Sequence, residues 1–278
     1  MPKPVEILKV KIDPFTWDEV RERLLYLLNK KGKSQVATIN SEFIVQAQEN
    51  ADFLECLNSA QLRTADGSGL LIGAHFLAAR LTKIPILRQI QAFFKLIWYI
   101  KLSYIYPRII KKPIPDRIAG VDLSLEIIKL AINNHLSIFL LGAGVGVAEK
   151  AALILQTDYL DLKIAGTYGG SPRIEDEEKI VGLINKHKTD IILVAYGAPK
   201  QDLWIKRNLK KTTAKLAVGV GGTLDILSGD IQRAPIFMQE HGLEWLFRLF
   251  QQPMIRFKRL PRLLKFLRLI YHQRLKTD

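Results

Sequence analysis

An α/β fold, with a Rossmann-like and mostly parallel sheet flanked by helices, is predicted by three features of the sequence. Short apolar runs recur along the chain, helix-like stretches of crossover length separate them, and small-residue loops directly follow most of the runs. In such folds ligands bind beyond the carboxyl ends of the strands. Those loops are therefore where chemistry is expected.

Thr16-Trp17-Asp18-Glu19 opens an apolar-periodic run to Leu28 and has the form of a capping box, so a first helix is predicted there. The predicted strands follow at Gln35–Ile39, Gln61–Thr64, Ser137–Leu141, Leu162–Ala165, Asp190–Ala195 and Lys215–Val220. After them come Asn40, Asp66-Gly67-Ser68-Gly69, Gly142-Ala143-Gly144, Gly197-Ala198-Pro199 and Gly221-Gly222-Thr223. Glycine lets backbone approach a phosphate closely, and the helix N-terminus behind it offers free N–H groups.

With 278 residues, 48% of them hydrophobic, the chain can bury a full core. The expected organisation is an α/β domain over 1–240, interrupted by an insertion at about 80–116, and a basic amphipathic helical appendage over 241–278. The single Cys56 forms no intrachain disulfide, and Met1-Pro2-Lys3-Pro4-Val5 lacks a signal-peptide pattern, so a cytoplasmic setting is expected. The net charge of +14 is local. Segments 80–120 and 241–278 each hold nine Lys or Arg and together only three acids, while the rest of the chain is nearly neutral. Such localised charge implies a polyanionic partner, a bilayer or a nucleic acid.

Leu141-Gly142-Ala143-Gly144-Val145-Gly146 lies between a predicted strand and helix, but its spacing is G-x-G-x-G; alone it fits a phosphate loop and a tight packing turn equally. A nicotinamide cofactor would need an acid at the end of the next strand, and Asp161 stands at its beginning, so an oxidoreductase is disfavoured. His75, His135, His187, His241 and His272 are scattered with no metal-site spacing, and there is no G-x-S-x-G elbow. Neither a metal nor an organic cofactor is expected. Cys56 reads as a packing residue.

Several motifs together, in order, resemble the WecG/TagA/CpsF family of bacterial glycosyltransferases, glycosyltransferase family 26. They are Thr38-Ile39-Asn40-Ser41-Glu42-Phe43, Ala65-Asp66-Gly67-Ser68-Gly69, Asp116-Arg117-Ile118-Ala119-Gly120-Val121-Asp122 and Gly197-Ala198-Pro199-Lys200-Gln201-Asp202. The longest is Val218-Gly219-Val220-Gly221-Gly222-Thr223-Leu224-Asp225, followed by Arg233-Ala234-Pro235 and Leu243-Glu244-Trp245-Leu246-Phe247-Arg248-Leu249. The resemblance implies inverting, metal-independent transfer from a UDP-sugar, often an N-acetylmannosamine donor, to polyprenyl-diphosphate-linked N-acetylglucosamine, for surface polysaccharides. The sequence departs from the pattern at Asp202, where the family usually has glutamate, and in about 30 extra residues between Ala79 and Arg117.

Inverting transfer needs a base for the acceptor hydroxyl and positive charge for the diphosphate leaving group. The resemblance places the base at Asp66; without it, Asp66 reads more readily as the N-cap of a helix starting near Ser68. Thr38 and Asn40 are candidates for orienting sugar hydroxyls, with ordinary turn chemistry as the alternative. The family motif makes Gln201 a candidate sugar contact. Arg117, Arg248 and Arg256 are candidates for gripping phosphates through bidentate guanidinium contacts. Gly142, Gly144, Gly197, Gly221 and Gly222 are the nucleotide-binding candidates, whereas Asp225 and Arg233 match the family pattern without a catalytic assignment.

After Pro261, Arg262, Lys265 and Arg268 share one helical face and Leu263, Phe266, Leu267 and Ile270 the opposite one. This is the pattern of an interfacial helix on an anionic membrane, or of an ordinary amphipathic helix packed on a core. In the insertion, residues 93–106 are strongly apolar but broken by lysines, a poor transmembrane candidate; Trp98, Tyr99, Tyr104 and Tyr106 fit a membrane-facing helix or hairpin. A buried contact in a homo-oligomer is the competing use. Nucleic acid is disfavoured, because no recognition motif is present and both segments are more apolar than a solvated groove tolerates. The resulting expectation is a glycosyltransferase peripherally associated with the inner face of the membrane. The alternative is a non-catalytic, membrane-associated nucleotide-binding protein.

Overall fold

The computed structural model describes residues 2–276, except the side chain of Arg108. The chain opens with a hairpin, β1 (Val5–Ile7) and β2 (Val10–Ile12), then α1 (Trp17–Asn29), β3 (Ser34–Ile39), α2 (Ser41–Glu49), α3 (Ala51–Ser59), β4 (Leu62–Ala65) and α4 (Ser68–Ala78). A long helix α5 (Pro85–Ile105) and a 3-10 turn (Pro107–Ile110) fill the insertion. The chain continues with α6 (Gly120–Asn133), β5 (Ser137–Gly142), α7 (Val147–Asp158), β6 (Lys163–Tyr168), α8 (Ile174–Lys186), β7 (Ile191–Ala195), α9 (Lys200–Asn208) and β8 (Leu216–Gly219). After β8 all is helical: α10 (Thr223–Leu227), α11 (Ile236–Glu240), α12 (Glu244–Gln251), α13 (Pro253–Phe257) and α14 (Leu260–Lys276).

The main sheet has six strands in the order β4-β3-β8-β7-β5-β6, every pair parallel. All residues of β3, β7 and β8 are buried, as a sheet with helices on both faces requires. The predicted α/β architecture is thus observed, with strands close to their expected positions. β6 runs to Tyr168 rather than stopping at Ala165. It is an edge strand of partly exposed residues, so its ladder to β5 carries it past the point where the apolar signal ends. The capping box is present too: Glu19 N–H donates to Thr16 Oγ1 at 3.3 Å, and Thr16 N–H to Glu19 Oε2 at 2.7 Å.

The β1–β2 hairpin has no counterpart among the predicted strands. Its two-residue turn puts Leu8 and Lys9 at φ +49° and +67°, which normally calls for Asn or Gly, so the usual turn signal is missing. Burial of Ile7, Val10 and Ile12 holds it, together with the ion pair from Arg63 on β4 to Asp13 at 2.7 Å.

Helix α14 uses its apolar face on the protein itself, which corrects the expectation that this face enters a membrane. Phe266 and Ile270 are fully buried in the cluster built from the hairpin and α2 to α5. The Phe266 ring lies so close to Gly73 of α4 that a Cβ there would fall 2.9 Å from Cζ. Arg274 is buried as well, and its guanidinium donates to the carbonyl of Ala79 just past α4, where free carbonyls favour a cation. On the other side of α14, Lys265 pairs with Glu49 and Arg262 with Glu42 at 3.6 Å. Part of the basic stripe therefore neutralises α2.

Phe266→Ala is expected to cost about 3–5 kcal/mol in urea denaturation without lipid, the range for a fully buried phenylalanine. A helix docked only on a bilayer would show no such loss.

Candidate active site

The parallel order brings five strand ends side by side: Asp66 after β4, Asn40 after β3, Gly221-Gly222 after β8, Gly197 after β7 and Gly142 ending β5. Gly142 has φ +97°, and a Cβ would meet the Ala195 carbonyl carbon and the Tyr196 ring at 2.9 Å, so this turn admits only glycine. Its neighbour Ala143 donates N–H to the Ala195 carbonyl at 3.1 Å, locking the β5 and β7 loops together. In front of Gly197 and Gly221 lies open space. Gly144 is tighter, with Val147 beside it. Gly222 borders Asp225 and the guanidinium of Arg248.

Gln201 is turned into the protein and almost fully buried. Its Oε1 accepts from the N–H groups of both Gly197 and Gly221, each at 3.0 Å, so one amide staples the β7 and β8 loops. The sequence expectation was a sugar contact; the side chain instead holds two glycine loops whose N–H groups are consequently not free for a phosphate. What those loops offer is a backbone surface without side chains.

Asp66 does not cap the helix that follows it. The N-cap of α4 is Gly67, with φ +96° and no side-chain cap bond. The Asp66 carboxyl instead lies beside the Gly120 N–H at the start of α6, which favours its ionised form. The chain before α6 crosses the end of β4, Ile118 N–H donating to the Ala65 carbonyl at 2.8 Å, and this crossing sets Arg117 and Gly120 beside Asp66. Burial is the largest influence on this carboxyl and pushes its pKa up to about 6; Arg117 and Arg248 oppose the rise, while Glu244 adds to it. At neutral pH the group is mostly ionised yet more basic than an ordinary aspartate.

The C-terminal helices close over this point. Arg117 pairs with Glu244 of α12 at 3.1 Å, and the Ser68 hydroxyl donates to the Gly242 carbonyl at 3.4 Å. One turn beyond Glu244, Arg248 faces Asp66 and Asp225 and donates no hydrogen bond among the described residues. Arg256 on α13 is partly desolvated, which lowers its pKa to about 10 and leaves it charged; its Nε has no hydrogen-bond partner among the described residues. Arg117, Arg248 and Arg256, far apart in sequence, thus share one site with Gly222 and Asp66, and two of them keep guanidinium donors available.

Thr38 is buried, its hydroxyl donating to the Gly219 carbonyl at 2.9 Å, and Asn40 caps α2 through the Phe43 N–H. A Cβ built at Gly120 would lie 3.5 to 3.9 Å from Asp66 Oδ2, Thr223 Oγ1 and Thr38 Oγ1. Four elements therefore converge on one small space. Gly120, Thr223 and Glu244 are site residues that sequence reasoning did not select, although each lies inside a motif already singled out. Arg233, left without a catalytic assignment, pairs with Asp122 at 2.6 Å. Cys56 is buried beside the Asp202 carbonyl and its thiol is pushed up to about 12, far from a nucleophile's range. Asp202 is fully buried, and burial pushes its carboxyl up to about 7. Among the described residues no three His, Cys, Asp or Glu side chains gather as a metal site would require.

The sequence model described as the glycosyl transferase WecG/TagA/CpsF family matches residues 5–100 and 101–278. Among curated proteins, the N-acetylglucosaminyldiphosphoundecaprenol N-acetyl-beta-D-mannosaminyltransferase of Staphylococcus aureus strain MRSA252 is 30% identical over 261 residues, 93% of this chain and 87% of that protein. The protein of the same name from strain MW2 is 29% identical over 246 residues, 88% and 83% of the two chains.

Gln201→Ala should destabilise the fold by about 1–3 kcal/mol in urea denaturation, because two loop N–H groups lose their acceptor. Gln201→Glu keeps an acceptor oxygen but buries a carboxylate beside Asp202, and should lose at least as much at neutral pH. Equal stability of all three proteins would mean the staple holds nothing.

Proposed function

The chain belongs to the WecG/TagA/CpsF family of glycosyl transferases, and from that premise we propose that it transfers N-acetylmannosamine, or a related hexose, from a UDP-sugar to polyprenyl-diphosphate-linked N-acetylglucosamine. The relatives' name supplies the acceptor and the sugar; the UDP carrier follows from the family resemblance. The observation that carries the chemistry is Asp66: a partly buried carboxylate, raised to about 6, with Arg117 and Arg248 acting on it and Arg256 of α13 next to Arg248 and Asp225.

In this reading the acceptor hydroxyl enters the space beside Gly120, and Asp66 takes its proton as the oxygen attacks the anomeric carbon. The bond from that carbon to the UDP phosphate oxygen breaks with inversion, and UDP leaves with the electron pair. Arg248 and Arg256 supply the positive charge that the departing diphosphate needs, with Arg117 beside Asp66. Thr38 and Thr223 line the reacting space, and the glycines at 142, 144, 197, 221 and 222 let the nucleotide approach the strand ends. Gln201 acts as a positioning residue. No helix among the described residues is long and apolar enough to cross a membrane. Because the acceptor is a lipid, the site works at the cytoplasmic face of an anionic bilayer, the protein attached peripherally.

Transfer is measured from a panel of UDP-sugars to a polyprenyl-diphosphate N-acetylglucosamine analogue. Asp66→Asn should retain the fold and lower kcat by about 10²–10⁴-fold, the usual contribution of a general base. For the wild type, kcat/KM should fall about tenfold per pH unit below an apparent pKa of about 6, because the raised carboxyl becomes protonated there. Arg248→Ala should lower kcat/KM by about 10²-fold or more, as for loss of one charge-stabilising donor. UDP binding without turnover of any donor would instead select the non-catalytic nucleotide-binding reading.

A further inference from the structure

The insertion helix α5 carries the most exposed apolar surface of the chain. Ala92, Leu96 and Ser103 face the core, whereas Ile86, Ile90, Phe93, Phe94, Ile97 and Trp98 recur at helical spacing on the opposite side and are exposed, Phe94 by 65% and Trp98 by 56%. Such a face demands a partner. The partner's chemistry is limited by charge: α5 contains Arg88, Lys95 and Lys101, and no acidic residue occurs between Asp66 and Asp116.

A second exposed apolar group lies on the helices that close the site, with Phe250 on α12 and Met254, Ile255 and Phe257 on α13, Met254 exposed by 82%. Lys258 follows directly, while Arg259 and Arg262 pair with Glu42 of α2 at 4.0 and 3.6 Å. The two regions are neighbours: the Tyr104 hydroxyl at the end of α5 lies beside the Trp245 side chain of α12, next to the Glu244 that holds Arg117 at Asp66.

We propose that α5, together with α12 and α13, is the docking surface for an anionic lipid bilayer, α5 lying in the interface plane and setting the Asp66 site at the membrane. This rests on the lipid-linked acceptor of the proposed function and names the elements that meet the lipid. Helix α14 is not among the inserted elements, since its apolar face is buried. Phe93, Phe94, Ile97 and Trp98 enter the acyl boundary and the exposed Lys101 meets headgroup phosphates, such a cation contributing about 1 kcal/mol near the surface, whereas Arg88 and Lys95 bond the carbonyls of Arg274 and Arg80. A second copy of the chain is the weaker occupant. Lys101 is itself exposed on α5; pairing two such faces would bring lysines and arginines together with no carboxylate between Asp66 and Asp116 to meet them, whereas anionic lipid neutralises them.

The test is flotation of the full chain with vesicles of phosphatidylcholine alone or mixed with phosphatidylglycerol, comparing wild type with the double variant Phe94→Glu and Trp98→Glu. Both positions are exposed, so the variant should keep its melting temperature. Wild type should float with the mixed vesicles, less so at high salt, and the variant's partitioning should drop by at least about tenfold. Transfer to a short-chain, water-soluble acceptor should be unchanged in the variant, which separates failure of docking from failure of the enzymatic reading. Absence of wild-type flotation, or a variant that floats as well as wild type, overturns the proposal. So does a wild-type dimer in sedimentation that the variant splits into monomers, which would assign the face to a second copy.

Discussion

Asp66 sets the terms for the rest of the molecule, because a carboxylate partly removed from water is costly unless cations stand nearby and hydrogen bonds replace some of its hydration. The chain meets this demand from two distant places. The approach to α6 contributes the Gly120 N–H and Arg117; α12 contributes Arg248 and, through Glu244, the hold on Arg117. Burial still outweighs these opposing influences and leaves the carboxyl raised to about 6. That balance suits a base working near neutral pH, which must be ionised before it acts and basic enough to take a proton. Fully unopposed burial would leave it protonated; full solvation would leave it too weak.

Everything around the carboxylate follows from keeping this small space open. The parallel strand order places five loops along one edge, and side chains there are pared to glycine where backbone meets backbone, as at Gly142. Gln201 ties two of those loops from behind, converting a buried amide into the device that fixes their spacing. Gly120 completes the arrangement, since any side chain there would project into the space shared by Asp66, Thr38 and Thr223.

Much of this was legible in the sequence, and what was not has physical reasons. The central strands β3, β7 and β8 declared themselves as apolar runs because both their faces are buried, whereas the partly exposed β6 was legible only in its first half. The first hairpin did not, because its turn residues Leu8 and Lys9 are held in left-handed geometry by tertiary packing rather than by their own preference. The gathering of Asp66, Arg117, Arg248 and Arg256 could be guessed only from motif order, since nothing local brings residues so far apart together. The loop-stapling position of Gln201 was not legible, because a polar residue in a first helical turn gives no sign that it points inward. The amphipathic pattern of α14 was real, yet periodicity cannot distinguish a core from a bilayer; the fit of Phe266 against Gly73 decides for the core. The basic charge that seemed uniform therefore divides. Arg274, Lys265 and Arg262 serve the fold, and Arg248 and Arg256 serve the site. Of the α5 cations, Arg88 and Lys95 bond the carbonyls of Arg274 and Arg80, and Lys101 is exposed at the surface.

The claim on which the account turns is that Asp66 is a raised, site-facing carboxylate. It is tested most directly by difference infrared titration of the Asp66 carboxyl in the resting protein, wild type against Asp66→Asn, with Arg248→Ala as a second background. The account predicts a pKa of about 6, rising further when Arg248 is removed, because that guanidinium favours the ionised form. A value near 4, the level of a solvated aspartate, or no response to loss of Arg248, would contradict it.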